Sequence, residues 1–275
     1  MQARYWAFVG GLALLLTLPA LAQAREVPIA FVDLKYDLIN AGFDRNYITQ
    51  IFQDERVEFL SKVVDKIAYL KKERRADYGH FMRPEVVDKG RRYLVKHAES
   101  LQQAEDAFGV KKEVIVAILT VETNLGEVTG RYPVFNVFAS LAVMDTPEVI
   151  QDLALDRRLS SRLKSKAAWA RRELKSFLIC CRQNNQDPFS LKGSWAGAFG
   201  YCQFLPSSLL RCGYDGNDDG QIDVFCDADA IFCIANYLKR AGFKQHVRST
   251  WSRAVHAYNP SDAYVEAVLT LAHWY

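Results

Sequence analysis

A strong excess of charge of one sign is missing from this sequence. Its 275 residues include 35 Lys and Arg against 32 Asp and Glu, which gives a formal net charge of +3. Proteins that bind nucleic acid usually carry a larger basic excess that is concentrated on one face. We therefore expect no nucleic-acid partner.

Long hydrophobic runs and zinc-ligand spacings are also scarce. Beyond the first 24 residues, no segment is long and apolar enough to span a bilayer, so we expect no membrane span in the mature chain. The cysteines show neither repeated Cys-x-x-Cys pairs nor Cys/His spacing, which argues against a structural zinc site. All of them lie in the C-terminal half, and their number fits an oxidising compartment. They are Cys180, Cys181, Cys202, Cys212, Cys226 and Cys233.

Residues 1–24 match a secretory export signal. Arg4 supplies a positive start, and the apolar run after it ends in Ala22-Gln23-Ala24, which is a small-x-small cleavage site. The alternative, a membrane anchor, would need a longer run followed by a basic stop-transfer cluster. We predict cleavage near Ala24, which leaves a soluble, periplasmic or secreted mature chain.

Helical periodicity runs through most of the remaining sequence. Apolar residues recur at spacings of three and four in "DERVEFLSKVVDKIAYLKKE" and in "RPEVVDKGRRYLVKHAESLQQAEDAFGV", which ends at Gly109. "KKEVIVAILTVET" is a shorter, more apolar helix. In "SDAYVEAVLTLAHWY" the first residue, Ser261, is a suitable N-cap. No alternating series indicates a sheet, so we predict a mainly α fold with a helical N-terminal part.

One carboxylate lies on the apolar face of a predicted helix. Ile115, Ile118 and Glu122 fall at i, i+3 and i+7, so the glutamate points to the same side as the isoleucines. Burial raises the pKa of a carboxyl group, which suits a general acid. A glutamate at a helix end is more often a cap or an ion-pair partner, and this helix alone favours that structural role.

A stretch rich in glycine and aromatic residues, "LKGSWAGAFGYCQFLPSS", interrupts the helical pattern. Its small residues let a ligand approach the backbone closely, while Ser194 and Gln203 offer neutral hydrogen-bonding groups. Flat aromatic side chains are interspersed among them. The combination suits an uncharged polar polymer such as a glycan. The alternative is a tightly packed loop whose aromatic side chains belong to the core.

An acidic loop, "DGNDDGQIDVFC", nearly fills the EF-hand calcium template, with Gly220 at the turn position. We therefore expect a structural Ca²⁺ here and no cofactor for chemistry. Position 12 is Cys226 instead of a carboxylate, and Asp227 comes one residue late, which weakens the predicted site. The candidate ligands are Asp215, Asn217, Asp219, Gln221 through its backbone carbonyl, and Asp223.

These elements, in this order, resemble the MltB-type lytic murein transglycosylases, which have a lysozyme-like catalytic domain. The resemblance rests mainly on "ETNLG" and "GSWAGAFGYCQF", and it extends from "AGFDRNYITQIF" to "YNPS". It covers most of the mature chain. It implies one catalytic domain over residues 25–275, with an EF-hand-like loop at 215–227.

The resemblance also implies a substrate and a reaction. The substrate is the glycan strand of peptidoglycan, and its β-1,4 bond between N-acetylmuramic acid (MurNAc) and N-acetylglucosamine (GlcNAc) is cleaved without water. Glu122 matches the single acid/base of the family, and the product ends in 1,6-anhydro-MurNAc. Sugar contacts are implied for Ser194, Gln203, Tyr237, Tyr258 and Asn259.

The cysteines beside the acidic loop suggest a clamp. A disulfide between Cys212 and Cys226 could hold the loop in place of the missing ligand, because closing a loop of ~15 residues contributes about 3 kcal/mol in the chain-entropy model. The alternative is that both are small buried residues.

Two other functions share much of this sequence evidence. A muramidase that uses water would need a second carboxylate, for which Asp145 and Glu127 are the candidates. A wall-binding or scaffolding protein would keep the groove without catalysis, and the combination of Glu122 with the sugar-contact residues argues against it. The short connection "KQHVRSTWSRAVHA" leaves the number of sugar subsites open.

Overall fold

Helices make up nearly all of the regular structure, which confirms the predicted mainly α class. The computed structural model describes residues 27–70 and 75–275, and the predicted export signal lies outside the described residues. The strands found there are β1 (Tyr132–Pro133) and β2 (Lys192–Gly193). Short 3-10 segments are Ile29–Phe31, Arg75–Met82 and Arg157–Leu159. The α-helices of this part are α1 (Val32–Asn40), α2 (Arg45–Gln53), α3 (Ser61–Ala68), α4 (Pro84–Lys96), α5 (Ala98–Phe108), α6 (Lys112–Thr123), α7 (Val134–Ala142), α8 (Pro147–Asp152), α9 (Ser160–Gln183), α10 (Pro206–Cys212), α11 (Asp227–Arg240), α12 (Ser249–Tyr258) and α13 (Asp262–Trp274).

Buried apolar side chains from early and late helices form one cluster. It includes Phe31, just before α1, and Leu271 in α13. The longest of the helices given above, α9, packs against α7 and α10. Within residues 27–70 and 75–275, we find no helix whose length and apolar character would let it cross a membrane.

Helix α6 lies at the centre of this packing. Residues 114–119 are fully buried, and the helix contacts α4, α5, α11 and α13. A helix that is apolar all round needs neighbours on every side, so its position is set by those four helices. It ends at Asn124 (φ 52°), which is followed by Leu125 (φ 62°) and Gly126 (φ 89°). Three successive left-handed residues turn the chain sharply just after Glu122.

The loop after α6 is bound to the glycine-rich stretch. Strand β1 pairs antiparallel with β2, and Tyr132 lies opposite Gly193. Gly130 has a φ of +98°, and a Cβ atom there would lie 2.1 Å from the Gly193 carbonyl oxygen. Only glycine fits this close backbone contact. The stretch that was predicted to bind sugar therefore lies beside the residues that follow Glu122.

Two helices are shorter than the periodicity predicts. Helix α3 begins at Ser61, and part of the backbone before it bonds to a side chain of α7 instead: the Glu58 N–H donates to Asn136 Oδ1 at 3.3 Å. The segment predicted to run unbroken to Gly109 is divided at His97 (φ −111°, ψ 27°) into α4 and α5. Tertiary hydrogen bonds and a local kink thus override the sequence pattern.

Candidate active site

Glu122 lies in the last turn of α6, where the helix reaches the edge of the core. Ile115 and Ile118 on the same face are fully buried, whereas Glu122 is only partly buried. Its Oε1 atom accepts a hydrogen bond from the Tyr264 hydroxyl at 2.7 Å. The apolar helix therefore carries a carboxylate that is held by the protein and still reachable from outside the core.

Tyr264 is a site residue that the sequence analysis did not single out. It lies in the first turn of α13 and is 1% exposed. Ser261 caps this helix, as predicted, by accepting a hydrogen bond from the Tyr264 N–H at 3.4 Å. The ring of Tyr78 packs edge-on against Tyr264, with centroids 6.0 Å apart. The available signal was a polar aromatic residue in the first turn of an otherwise apolar helix.

Three aromatic side chains, Phe204, Tyr237 and Tyr258, form what we call the aromatic wall. The ring centroids of Tyr237 and Tyr258 are 4.8 Å apart, and Phe204 lies 5.6 and 5.8 Å from them. The Tyr258 hydroxyl donates to the Cys202 carbonyl at 2.5 Å, and the Tyr237 hydroxyl donates to the Ala257 carbonyl at 2.6 Å. A ligand would therefore meet the rings of these tyrosines rather than free hydroxyl donors.

The surroundings of Tyr258 and Tyr237 keep both hydroxyl groups of the aromatic wall protonated. Burial raises the pKa of Tyr258 well above its ordinary value, and the nearby Cys202 thiol and Glu122 carboxyl add to the shift. Burial also raises the pKa of Tyr237. Both tyrosines therefore stay protonated near neutral pH. Tyr258 is linked to the end of α6 by hydrogen bonds, because it donates to the Cys202 carbonyl and the adjacent Tyr201 carbonyl accepts from Thr123.

Ser194 and Gln203 are held by the backbone of their own loop. The Ser194 Oγ atom accepts from the N–H groups of Ala196 at 3.3 Å and Ala198 at 3.2 Å, so its hydroxyl proton is left to donate. The Gln203 Nε2 atom donates to two backbone carbonyls, one of which belongs to Thr129 in the loop after α6. Its side-chain oxygen is left as an acceptor.

Asn259 directly follows α12 and the aromatic wall residue Tyr258. Its backbone N–H donates to the Val255 carbonyl at 3.1 Å, and its side chain is partly exposed. Among the described residues, no hydrogen bond is formed by the side-chain amide of Asn259. The structure thus brings Tyr237 and Tyr258 into contact, with Asn259 next in the chain, and links Gln203 to the loop after Glu122.

The acidic loop is folded around its own backbone amides. The Asp215 carboxylate accepts from the N–H groups of Asp219 at 3.2 Å and Gly220 at 2.7 Å, and Asp219 accepts from the Gln221 N–H at 2.9 Å. Asn217 Nδ2 donates to Asp219 Oδ2 at 3.0 Å. Gly220 has a φ of 86°, as the turn of the calcium template requires. Within the described residues, no three His, Cys, Asp or Glu side chains converge in a metal-binding arrangement.

Asp229 is the buried carboxylate of this loop, and the sequence analysis missed its role. It is fully buried in the first turn of α11. Its Oδ1 atom accepts from the Gly216 N–H at 2.9 Å, and its Oδ2 atom accepts from the Asp223 N–H at 2.6 Å. Burial raises the pKa of Asp229, and two loop carboxylates raise it further. The side chain therefore links both arms of the loop to α11.

Asp227 and Cys226 do not complete the loop as the sequence suggested. The Tyr93 hydroxyl donates to Asp227 Oδ1 at 2.7 Å, and His97 Nε2 lies 3.7 Å from Oδ2, so this carboxylate is turned towards α4. All six cysteines are free thiols, so the predicted disulfide between Cys212 and Cys226 is not formed. Cys212 is buried at the end of α10, whereas Cys226 precedes α11.

Neither candidate for a second catalytic carboxylate is free. Asp145 Oδ1 lies 2.5 Å from Arg171 Nη2 in an ion pair. Glu127 Oε2 lies 2.6 Å from Lys89 Nζ and also accepts from the Asn124 side chain at 2.7 Å. Both groups are engaged by cations or amides of the protein.

Comparison with known proteins assigns the family. A family described as the transglycosylase SLT domain matches residues 29–256, which is most of the chain. The chain belongs to this family. The resemblance inferred from the two sequence motifs is confirmed.

Relatives and solved structures of the transglycosylase SLT family extend this assignment. Membrane-bound lytic murein transglycosylase B of Escherichia coli K12 is 30% identical over 220 residues, which cover 74% of this chain and 54% of that protein. The chain therefore spans about half the length of this curated relative.

Two solved structures share the fold. The Escherichia coli lytic transglycosylase SLT35 in complex with calcium has a TM-score of 0.74 at 23% identity, covering 90% of this chain and 92% of the other. SltB3 from Pseudomonas aeruginosa in complex with NAG-anhNAM-pentapeptide has a TM-score of 0.72 at 21% identity, covering 87% and 77%. The transglycosylase SLT domain of this chain thus has the predicted lysozyme-like fold.

We expect Asp229→Ala to destabilise this domain by about 1–3 kcal/mol or more, because two backbone N–H groups lose their acceptor in a buried place. The free energy of unfolding in urea measures the effect. Asp152→Ala, at an exposed position in the last turn of α8, is the matched control and should stay within about 0.5 kcal/mol of wild type. Equal stability of the two variants would show that Asp229 does not hold the loop.

Proposed function

We propose that this chain is a peptidoglycan lytic transglycosylase that cleaves the MurNAc-β-1,4-GlcNAc bond and leaves a 1,6-anhydro-MurNAc end. The observation that carries the proposal is Glu122, a carboxylate at the end of a buried helix, held by the Tyr264 hydroxyl at 2.7 Å. The named activity of the Escherichia coli relative and the anhydro-sugar ligand of SltB3 support it.

In the proposed reaction, Glu122 acts first as an acid and then as a base. It protonates the glycosidic oxygen as the bond from C1 of MurNAc to the GlcNAc oxygen breaks. The resulting carboxylate takes the proton of the C6 hydroxyl of the same MurNAc unit, whose oxygen bonds to C1. The proton balance closes without water, and the glutamate is regenerated for the next cycle.

Neighbouring groups position the acid and the sugar. The Tyr264 hydroxyl fixes one oxygen of Glu122, which limits the orientations of the carboxyl group. The partly exposed Tyr237 and Tyr258 of the aromatic wall offer flat apolar surface to a sugar ring, and Phe204 is buried beside them. Ser194 and Gln203 offer one donor and one acceptor. We assign sugar contacts to these residues and to Tyr237, Tyr258 and Asn259.

A muramidase that uses water is the second candidate. It would need a carboxylate to activate water or to form a covalent intermediate. Asp145 and Glu127 are both held in ion pairs, which favours the mechanism with a single carboxylate. A wall-binding protein without catalysis is the third candidate, and the Glu122–Tyr264 pair argues against it.

We expect Glu122→Gln to lower the rate of peptidoglycan cleavage by about 100- to 10,000-fold, since glutamine cannot donate the proton. Mass spectrometry of digested peptidoglycan measures the products, and 1,6-anhydro ends are lighter than hydrolysed ends by one water. Glu127→Gln is the matched control and should retain activity. Reducing ends in the wild-type digest would establish the muramidase instead, and binding without products would establish the wall-binding protein.

We expect Tyr264→Phe to lower kcat/KM by about 10- to 100-fold. The carboxylate that develops on Glu122 during proton transfer loses a hydrogen bond worth about 1.5–3 kcal/mol, while the ring packing is retained. Initial rates of anhydro-product release measure the change, and the thermal midpoint checks the fold. Tyr36→Phe, at an exposed tyrosine in α1, should have no effect. Wild-type kinetics in Tyr264→Phe would refute the positioning role.

We also propose that the acidic loop holds a structural Ca²⁺. Its donors are carboxylate, amide and carbonyl oxygens, which suit a hard cation, and Gly220 supplies the required turn. The buried Asp229 carboxylate offers the charge that Cys226 cannot supply, and calcium would stabilise this cluster of like charges. The calcium in the SLT35 structure supports the proposal. The residues that would hold the ion are Asp215, Asn217, Asp219, Gln221 through its carbonyl, Asp223 and Asp229.

We expect Ca²⁺ at 100 times its Kd to stabilise the protein by about 2.7 kcal/mol, which raises the thermal midpoint by several degrees. Calorimetry with and without Ca²⁺ tests this, with Mg²⁺ for comparison. Asp215→Asn removes a ligand charge and should abolish the increase. Asp218→Asn, at an exposed non-ligand position of the loop, should preserve it. A wild-type midpoint that does not respond to Ca²⁺ would exclude the site.

We further propose that residues 25–275 act as one catalytic domain outside the cytoplasm, in the periplasm or after secretion. The single cluster of buried apolar residues supports the first part. The location of peptidoglycan, the proposed substrate, supports the second.

A further inference from the structure

A cationic cavity lies next to the aromatic wall. It has a volume of about 310 Å³ and is formed by α10, α11 and the last turn of α12. Its two charged lining residues, Arg211 and Arg240, are exposed, and no carboxylate lines it. The lining residues are Arg211, Cys212, Tyr237, Arg240, Ala241 and Ala257.

In the part of the chain that the structure describes, neither guanidinium group is neutralised by a carboxylate, although a side-chain hydrogen bond links Arg211 to the Cys212 sulfur. Arg240 uses its Nε atom to donate to Asn236 Oδ1 at 3.0 Å, which leaves the outer nitrogens of the fork. Arg211 lies over the ring of Tyr237, 5.6 Å from its centroid. Within the described residues, neither arginine forms an ion pair. Glu173 acts electrostatically on Arg211, but both of its oxygens accept hydrogen bonds from Ser207.

The cavity adjoins the proposed sugar-binding site through one shared tyrosine. Tyr237 lines the cavity and also belongs to the aromatic wall, where its ring contacts Tyr258 at 4.8 Å. The Tyr258 hydroxyl in turn donates to the Cys202 carbonyl, and the adjacent Tyr201 carbonyl accepts from the hydroxyl of Thr123, the residue after Glu122. A polymer whose sugar ring packs on the wall would therefore bring its substituents to the two arginines.

We propose that Arg211 and Arg240 form a binding subsite for a carboxylate of the stem peptide that substitutes the glycan strand. This inference rests on the proposed function. The glycan backbone is a neutral sugar polymer with peptide substituents, and the free carboxylates lie on those peptides. Planar guanidinium forks bind carboxylates in two-point fashion, which a lysine cannot do. The subsite would thus distinguish peptide-bearing strands from bare ones.

Equilibrium binding to the Glu122→Gln variant of the full chain tests the proposal without cleavage. The probes are a soluble glycan oligomer with stem peptides, the same oligomer with its peptide carboxylates amidated, and the oligomer without peptides, whose exposed lactyl carboxyl groups are also amidated. In Arg211→Ala/Arg240→Ala we expect the Kd for the first probe to rise about tenfold or more, to the Kd of the other two. The Kd values for the amidated and bare probes should not change.

Matched variants separate specific recognition from general charge effects. Arg211→Lys/Arg240→Lys keeps the charge and should recover only part of the affinity. Arg92→Ala removes an exposed arginine of α4, outside the cavity, and should bind like the parent. Thermal melting shows whether the double alanine variant is folded. If it is not, the single variant Arg240→Ala takes its place in the binding experiment.

Three results would overturn the subsite: an unchanged Kd for the peptide-bearing probe, an equal loss for all three probes, or an equal loss in Arg92→Ala. Failure of the proposed function is read separately from the products of the wild-type chain. A wild type that makes no anhydro ends, but binds peptide carboxylates through the arginines, would retain the subsite and refute the reaction.

Discussion

The hydrogen bond between Tyr264 and Glu122 joins α13 to α6, and the geometry of the site depends on that junction. Helix α6 is positioned by four neighbours, because it is apolar on every side. The first turn of α13 is positioned by the Ser261 cap. A group that must release and recover a proton in one cycle gains from such fixation, since its orientation is set before the substrate arrives.

The sequence supported the helices and the position of Glu122, because both follow from local spacing. It also supported the cap at Ser261, which depends on residues three apart. The sequence did not predict the role of Tyr264, because its hydroxyl bonds to a residue 142 positions away in the chain, Glu122. A contact of that range is set by how two helices pack, and no local pattern encodes it. The same reason explains why the Asn136 contact before α3 was missed.

The acidic loop departs from the EF-hand template at its last position, and a different carboxylate holds the loop there. The template places the last carboxylate at position 12, which is Cys226 here, and spacing alone then pointed to Asp227. In the structure the Asp227 carboxylate accepts a hydrogen bond from the Tyr93 hydroxyl on α4. The buried carboxylate that holds the loop belongs to Asp229, two residues later in the chain. The direction of a side chain at a helix start decides between them, and sequence spacing does not reveal it.

The backbone contact between Gly130 and Gly193 has a consequence for how a substrate would be accommodated. At this point the two loops that flank the proposed site touch through backbone atoms, and the Gln203 side chain adds a hydrogen bond from one loop to the other. Neither loop can move towards the other, and β1–β2 pairing resists their separation. Such a cleft is a rigid template, so selection there would act on the shape of the sugar ring that enters and not on closure of the protein around it.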